Sequence, residues 1–148
     1  MTEATLLFDS GSDRSYITSD LVNKIQPEWV TSQHIAYAAF GGNKTSRSEL
    51  RNIYRVGLNG VARCNRKDSP GEQSLVAVEV PIICKPIRRS EVPRDFLQSF
   101  GDIDFADDYS NDTDVSIDIL VGQDFYWSFI EQGLIRLDGG PVAQETKF

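Results

Sequence analysis

The segment from Thr5 to Ser12 reads TLLFDSGS, a short apolar run that passes directly into an Asp-Ser-Gly turn. The apolar run is typical of a buried strand, and Ser10 and Gly11 are typical turn residues. Phe8 gives Asp9 an apolar neighbour, and the Ser10 hydroxyl is placed to fix the carboxyl group. The turn therefore presents Asp9 in the kind of setting in which a carboxyl group holds and shares a proton.

Size and charge exclude several classes of protein. The chain has 148 residues, of which 40% are hydrophobic and 25% charged, and this predicts one globular domain over residues 1–148. The net charge of -7 argues against nucleic acid as a partner, because phosphate binding needs a basic surface. No apolar run is long enough to span a bilayer and no leader opens the chain, so we expect a cytoplasmic protein with no membrane partner.

The residues that commonly bind metals are few. Cys64, Cys84 and the single His34 cannot form a structural zinc site from cysteine and histidine alone. The acidic tract between Asp102 and Asp114 lacks the central glycine and final glutamate of a calcium-binding loop, so we interpret it as a solvated loop. We expect no metal and no cofactor. Free thiols are expected in a reducing compartment, with a Cys64–Cys84 disulfide as the alternative.

The order of the expected elements indicates an all-β fold, mainly strands with one or two short helices. Strands are predicted at residues 4–8, 15–17, 34–40, 45–58, 75–80 continued by 82–84, 117–122 and 134–137. A helix is predicted at residues 21–25, after the capping side chains of Thr18 to Asp20 and before Pro27, which ends it. A second helix is predicted at 124–130, with a helical turn at 93–100. Residues 61–73 form a polar loop, and residues 86–116 form a surface insertion. No internal repeat is visible, so the chain carries a single Asp-Ser-Gly motif.

Two features of this pattern bear on function. Residues 34–40 and 45–58 are the arms of a long hairpin whose tip, Phe40 to Lys44, contains two glycines that permit the positive φ of a mobile turn. The second helix follows an Ile-Leu-Val-Gly strand, and its Phe125, Trp127 and Phe129 are expected in the core.

The ordered series of strand, Asp-Ser-Gly, helix, glycine-tipped hairpin, apolar-apolar-Gly strand and helix resembles the retroviral aspartic peptidases, the retropepsins. Within them it is most similar to the peptidase domain of BEL/Pao-type LTR retrotransposon polyproteins. The likeness is carried by LFDSGSDRSYI at 7–17, FGG at 40–42, IDILVGQDFYW at 117–127 and GPVAQETKF at 140–148. Residues 60–116 match only in general layout. The resemblance implies an acid-protease barrel with one half-site per protomer.

The resemblance also implies roles for single residues. Asp9 and its copy in a second protomer would form the catalytic dyad of a homodimer. The Ser10 hydroxyl would bond across the dyad, and the Gly11 carbonyl would accept from the substrate backbone. Asp13 would hold the substrate main chain, and Phe40, Gly41 and Gly42 would belong to a flap that covers the substrate.

Two neighbouring positions complete the comparison with the retropepsins. Gly122 would have a structural role, because it lets its strand pass close beneath the catalytic loop. Gln123 is a departure, because many retroviral relatives have arginine at that position. An ion pair from residue 123 to Asp13 is therefore missing here, and Arg14 is the alternative partner.

The leading hypothesis is an aspartic endopeptidase that cleaves extended segments of a Gag-Pol-type polyprotein, within retrotransposon particles in the cytoplasm. The alternative is a non-catalytic retropepsin-fold module, domesticated or decayed, used for dimerisation or peptide binding. A third reading is a relative of the ubiquitin-shuttle peptidases. Those carry Asp-Thr-Gly-Ala in place of the Asp-Ser-Gly-Ser at Asp9 to Ser12, and they lack the C-terminal motif.

Overall fold

A computed structural model describes residues 2–36, 48–60, 72–89, 92–101, 103, 105–106 and 113–148. The elements are β1 (Leu6–Phe8), β2 (Tyr16–Thr18), α1 (Ser19–Ile25), β3 (Glu28–Ala36), β4 (Ser48–Leu58), β5 (Gln73–Val80), β6 (Ile87–Arg88), α2 (Arg94–Ser99), β7 (Asp114–Val115), β8 (Ile119–Val121), α3 (Gln123–Phe129), β9 (Ile130–Arg136) and β10 (Val142–Thr146). The all-β class is confirmed, with three short helices in the described part of the chain instead of one or two.

Six strands form the main sheet in the order β1-β8-β2-β5-β4-β3. The pairs β1–β8 and β2–β5 are parallel, and the other neighbours are antiparallel. Within the described ranges β1 and β3 are edges, so the strands do not close into the barrel that the resemblance implied. This order places β1, which leads into the Asp9 turn, beside β8, which leads into the Gly122 turn.

The local signals of the first helix are confirmed. The Thr18 side chain accepts a hydrogen bond from the Leu21 backbone and caps α1 at its N-terminus. Gln26 takes a left-handed conformation with φ of 45° and ends the helix one residue before Pro27. The chain is then free to extend, and β3 begins at Glu28, earlier than the predicted start at residue 34.

The structure differs from the predicted elements in three places. Residues 82–84 are not a strand, because β5 ends at Val80 and Pro81 has no backbone N–H to continue the ladder. β10 was not predicted, and it exists because it pairs with β9 in a separate hairpin. The insertion contains α2, close to the expected helical turn, and a small ladder between β6 and β7. The hairpin tip at 37–47 and most of the 61–73 loop lie outside the described residues.

Apolar side chains are buried on both faces of the main sheet. On one face α1 and α3 cover the larger cluster, which includes Ile17, Val56, Ile119 and Phe129. The opposite face carries a smaller cluster of Ile35, Ile53 and Val78, with Tyr16 and Val76 packed against it. None of the helices among the described residues is long and apolar enough to cross a membrane.

The helix α3 packs by one side only. Phe129 is 1% exposed, and its ring lies 5.0 Å from that of Phe148 and 6.3 Å from that of Phe125. Trp127 is 67% exposed, so its prediction as a core residue was wrong. Phe125 and Phe129 are four residues apart and share a helix face, whereas Trp127, two residues from each, projects from the other side.

This packing predicts a large difference between two aromatic truncations on the same helix. Phe129→Ala removes a buried ring and leaves a cavity, so we expect the free energy of unfolding to fall by about 3–5 kcal/mol. Trp127→Ala removes a mostly exposed ring and is expected to lower it by less than about 1 kcal/mol. Urea denaturation followed by circular dichroism measures both values. Similar losses for the two variants would contradict the packing of α3.

Candidate active site

The Asp9 turn extends directly from β1. The Asp9 backbone N–H donates to the Val121 carbonyl over 2.9 Å, which continues the β1–β8 ladder by one bond. The Asp9 Oδ1 accepts from the Gly11 backbone N–H at 2.9 Å, and the Ser12 N–H donates to the Asp9 carbonyl at 3.2 Å. The turn therefore closes on itself and holds one carboxylate oxygen in place.

Residue 11 must be small for this geometry. A Cβ atom at Gly11 would lie 3.2 Å from the Asp9 Oδ1, which is closer than ordinary van der Waals contact. Asp9 is half-buried, whereas Ser10 and Gly11 are exposed. Asp9 Oδ2 accepts no hydrogen bond from the described residues. The turn is thus held on its inner side and open on its outer side.

The Asp9 turn and the start of α3 are in backbone contact. A Cβ atom at Gly122 would lie 2.2 Å from the Arg14 carbonyl oxygen and 2.4 Å from the Arg14 carbonyl carbon. Only glycine leaves room for this approach, which confirms the structural role expected of Gly122. Immediately afterwards, the Gln123 backbone N–H donates to the Ser12 carbonyl over 2.7 Å.

A buried serine fastens the same two segments. Ser15 is 0% exposed, and its hydroxyl donates to Asp124 Oδ1 at 2.7 Å while accepting from the Gly122 N–H at 3.0 Å. The Ser15 N–H donates to Asp124 Oδ2 at 3.0 Å. Hydrogen bonds to a carboxylate are stronger than those between neutral groups. Ser15 and Asp124 therefore bind the end of the Asp9 loop to the first turn of α3.

The Gln123 side chain makes the third connection. In the orientation that satisfies both neighbours, its amide nitrogen donates to the Ser10 carbonyl over 3.2 Å, and its oxygen accepts from Trp127 Nε1 over 2.9 Å. Gln123, at the position where many retroviral relatives have arginine, thus supports the Asp-Ser-Gly turn through a neutral amide. Asp13 makes no ion pair with any described residue, so Arg14 does not take the place of that arginine.

The face on which Asp9 lies follows from the strand register. Leu7 is paired with Leu120, and Leu120 with Tyr16, so these three side chains lie on one face of the sheet. Asp9 continues β1 by the bond to Val121 and shares that face with Leu7, two residues earlier. Val78 continues the row from Tyr16. This row forms an apolar floor that leads away from the Asp9 carboxyl group.

The structure brings four of the sequence-predicted site residues into one turn. These are Asp9, Ser10, Gly11 and Asp13, all within or next to the Asp9 turn. Phe40, Gly41 and Gly42 lie outside the described residues. Sequence reasoning missed the Ser15–Asp124 pair and the Gln123 bridge. The only signal for them was the Gly122-Gln123-Asp124 run, since polar residues directly after a close-packed glycine are well placed to bond the loop that it contacts.

Among the described residues, no group of three or more histidine, cysteine, aspartate or glutamate side chains could hold a metal ion. Cys84 is exposed and its thiol is free, and Cys64 lies outside the described residues. The chemistry that the described site can support is acid–base chemistry by one carboxyl group held in a turn.

A β fold that carries an Asp-Ser-Gly turn next to an apolar-apolar-Gly strand defines a peptidase-like protein. The chain belongs to the family described as "Putative peptidase (DUF1758)", whose model matches residues 1–147. This membership supports peptidase activity and agrees with the resemblance to the peptidase domains of retrotransposon polyproteins. No curated protein and no solved structure matches the chain.

The approach at Gly122 predicts a specific steric effect. Gly122→Ala would force the Arg14 backbone and the start of α3 apart, so we expect the free energy of unfolding to fall by at least about 2 kcal/mol. Gly57→Ala is the matched control, because the atom nearest to its new Cβ is the end of the flexible Glu72 side chain. We expect the control to change the free energy of unfolding by less than about 1 kcal/mol in urea denaturation. Equal effects would refute the close contact.

Proposed function

We propose that this chain is an aspartic endopeptidase of the retropepsin type, active as a homodimer. The observation that supports this most directly is the state of the Asp9 carboxyl group. Its Oδ1 is fixed by the Gly11 N–H, while its Oδ2 has no partner among the described residues and lies at an exposed turn. A second Asp9, brought by a second protomer, is the partner that completes this site.

The proposed reaction needs only the two carboxyl groups and a water molecule. Two carboxylates a few ångströms apart repel each other, so they share one proton and titrate as a coupled pair. The ionised Asp9 takes a proton from the bound water, and the protonated Asp9 donates to the oxygen of the scissile carbonyl. The tetrahedral intermediate then collapses as a proton passes to the leaving amine.

The neighbouring residues of the turn would bind the partner and the substrate. The Ser10 hydroxyl is exposed, as the proposed bond across the dyad requires. The Gly11 carbonyl and the Asp13 carboxylate would accept from the backbone of the peptide. Asp13 is exposed and makes no ion pair with a described residue, so it remains free for this role. Phe40, Gly41 and Gly42 would form the flap that excludes water.

The proposed substrate is an extended peptide. The floor formed by Leu7, Leu120, Tyr16 and Val78 is a row of side chains across neighbouring strands, which suits a peptide held as a strand with its alternate side chains in pockets. The substrate class that agrees with the family resemblance is a Gag-Pol-type polyprotein that contains the peptidase itself. The proposed setting is a retrotransposon particle in the cytoplasm.

Replacement of the proposed catalytic carboxyl group tests the activity. Asp9→Asn keeps the shape of the side chain but removes its acid–base function, so we expect kcat/KM for peptide cleavage to fall by about 1,000-fold or more. Asp20→Asn is the matched control, because Asp20 is an exposed carboxylate in the first turn of α1. Cleavage of a fluorogenic peptide library at mildly acidic pH measures both variants.

The outcome distinguishes the enzyme from the non-catalytic module. An Asp9→Asn variant that cleaves at the rate of the unmodified protein would refute the aspartic mechanism. Inhibition of the unmodified protein by a statine-type mimic of the tetrahedral intermediate would support it independently.

The homodimer has a predictable dependence on salt. Each protomer carries a net charge of -7, so two protomers repel each other, and this repulsion is screened as the ionic strength rises. We expect the dimer dissociation constant to fall about threefold or more between roughly 0.05 and 0.5 M NaCl. Sedimentation equilibrium measures it. A strict monomer at both concentrations, in the presence and absence of the statine inhibitor, would contradict the dimer.

A further inference from the structure

A cavity lies on the same face of the sheet as Asp9. It has a volume of about 360 Å³ and is lined by Tyr16, Arg51, Val80, Ile82, Ile83 and Leu120. Leu120 and Tyr16 belong to the apolar floor that begins at Leu7, two residues before Asp9. We name this cavity the Tyr16 pocket. The strand register places the Tyr16 pocket on the Val80 side of this floor and Asp9 on the Val121 side, so an extended peptide bound at Asp9 would have to cross the floor to place a side chain in the pocket.

Among the described residues that line the pocket, Arg51 is the one with a charged side chain. It projects from β4 on the same face as Ile53, since the two are separated by one residue along the strand, and Ile53 is paired with Val78. The Arg51 side chain is only 25% exposed. Its stem is thus buried against the sheet, and its guanidinium group is held at the pocket.

Only one nitrogen of the guanidinium group has a partner among the described residues. One of its terminal nitrogens, Nη2, pairs with the Glu49 carboxylate. Its Nε is fully shielded from solvent and has no hydrogen-bond partner among the described residues. Shielded donors are almost always bonded in folded proteins, because an unpaired one loses its bond to water without a replacement. Because Nε is shielded, an acceptor in the pocket would reach the guanidinium group at its terminal nitrogens, of which only Nη2 has a partner among the described residues.

The remaining lining restricts what that ligand can be. Val80, Ile82, Ile83 and Leu120 are apolar, so the pocket accepts an aliphatic stem. Ile82 is 74% exposed, and a side chain that enters the pocket would cover it. An aliphatic stem that ends in a hydrogen-bond acceptor describes glutamate, and a guanidinium group binds a carboxylate more strongly than a neutral amide.

We propose that the Tyr16 pocket binds an acidic side chain, that of glutamate, in the peptide that the Asp9 site cleaves. The proposal deepens the proposed function and rests on it. The preference arises locally from Arg51, because the net charge of -7 repels acidic peptides in general. Arg51 is thus a specificity-determining residue, and an apolar side chain in the pocket would leave its terminal Nη1 without a partner.

The test uses a fluorescein-labelled peptide library in which each position in turn carries glutamate, glutamine or leucine. Binding to the Asp9→Asn variant is measured by fluorescence polarisation, and cleavage by the unmodified protein is measured in parallel. We expect one position at which glutamate is preferred over leucine in both assays. Arg51→Met is expected to reduce that preference about tenfold or more, and Glu49→Gln is expected to increase it, because it frees Nη2.

Arg55→Met is the matched control. Arg55 lies four residues further along β4 on the same face, is exposed, and pairs with Glu28 at 3.5 Å. It should leave the preference unchanged. Thermal unfolding of each variant checks that it is folded, and Arg51→Lys, which keeps the charge but not the planar fork, should retain part of the preference.

Each outcome decides one of the two proposals. Equal effects of Arg51→Met and Arg55→Met, or no preference for glutamate at any position, would overturn the pocket assignment. Selective binding of the glutamate peptide without cleavage by the unmodified protein would support the pocket and refute the proposed peptidase activity. Cleavage without the preference would support the activity and refute the pocket.

Discussion

The site depends on one close approach, that of the chain at Gly122 to the backbone of Arg14. At this point β8 turns into α3 directly beneath the Asp9 loop, with no room for a side chain. Once the backbones are this close, the Ser15 hydroxyl reaches the Gly122 N–H, 107 residues further along the chain, and Asp124 completes the connection. A turn that would be mobile alone is therefore held by the sheet and by the first residues of a helix. The position of the Asp9 carboxyl group is set by contacts that are remote in sequence.

The two sides of this turn differ in how far their polar groups are satisfied. On the inner side, the backbone of Asp9 is hydrogen-bonded to Val121 and Ser12, and the amide of the Gln123 side chain also holds the loop. On the outer side, Asp9 Oδ2 and Asp13 have no partner among the described residues. Preorganised sites require a group that is rigidly supported on one side and has unpaired hydrogen-bonding atoms on the other. Such a group does not have to be ordered when its ligand arrives. The same asymmetry is expected of half of a symmetric site.

Sequence reasoning succeeded where the determinants are local. The Thr18 cap, the end of α1 before Pro27 and the turn after Phe8 were readable from neighbouring residues, whereas the close approach at Gly122 was expected from the family resemblance. It failed where the structure of a segment depends on which other segment pairs or packs with it. β10 exists because β9 lies beside it, and Trp127 is exposed because the partners of α3 lie on its other side. The same limit applies to Arg51. Its residue type is visible in the sequence, but its place beside Tyr16 and Leu120 depends on the order of four strands.

The replacement of an expected arginine by Gln123 has a consequence for the chemistry. An ion pair that supports a catalytic loop weakens when its carboxylate is protonated, so its strength varies over the acidic range in which two carboxyl groups share a proton. The amide of Gln123 does not titrate, and its bonds to the Ser10 carbonyl and to Trp127 Nε1 involve no titrating group. This part of the support of the loop therefore does not change with pH. Asp13 makes no ion pair with a described residue, which leaves it free for the peptide contact of the proposed function.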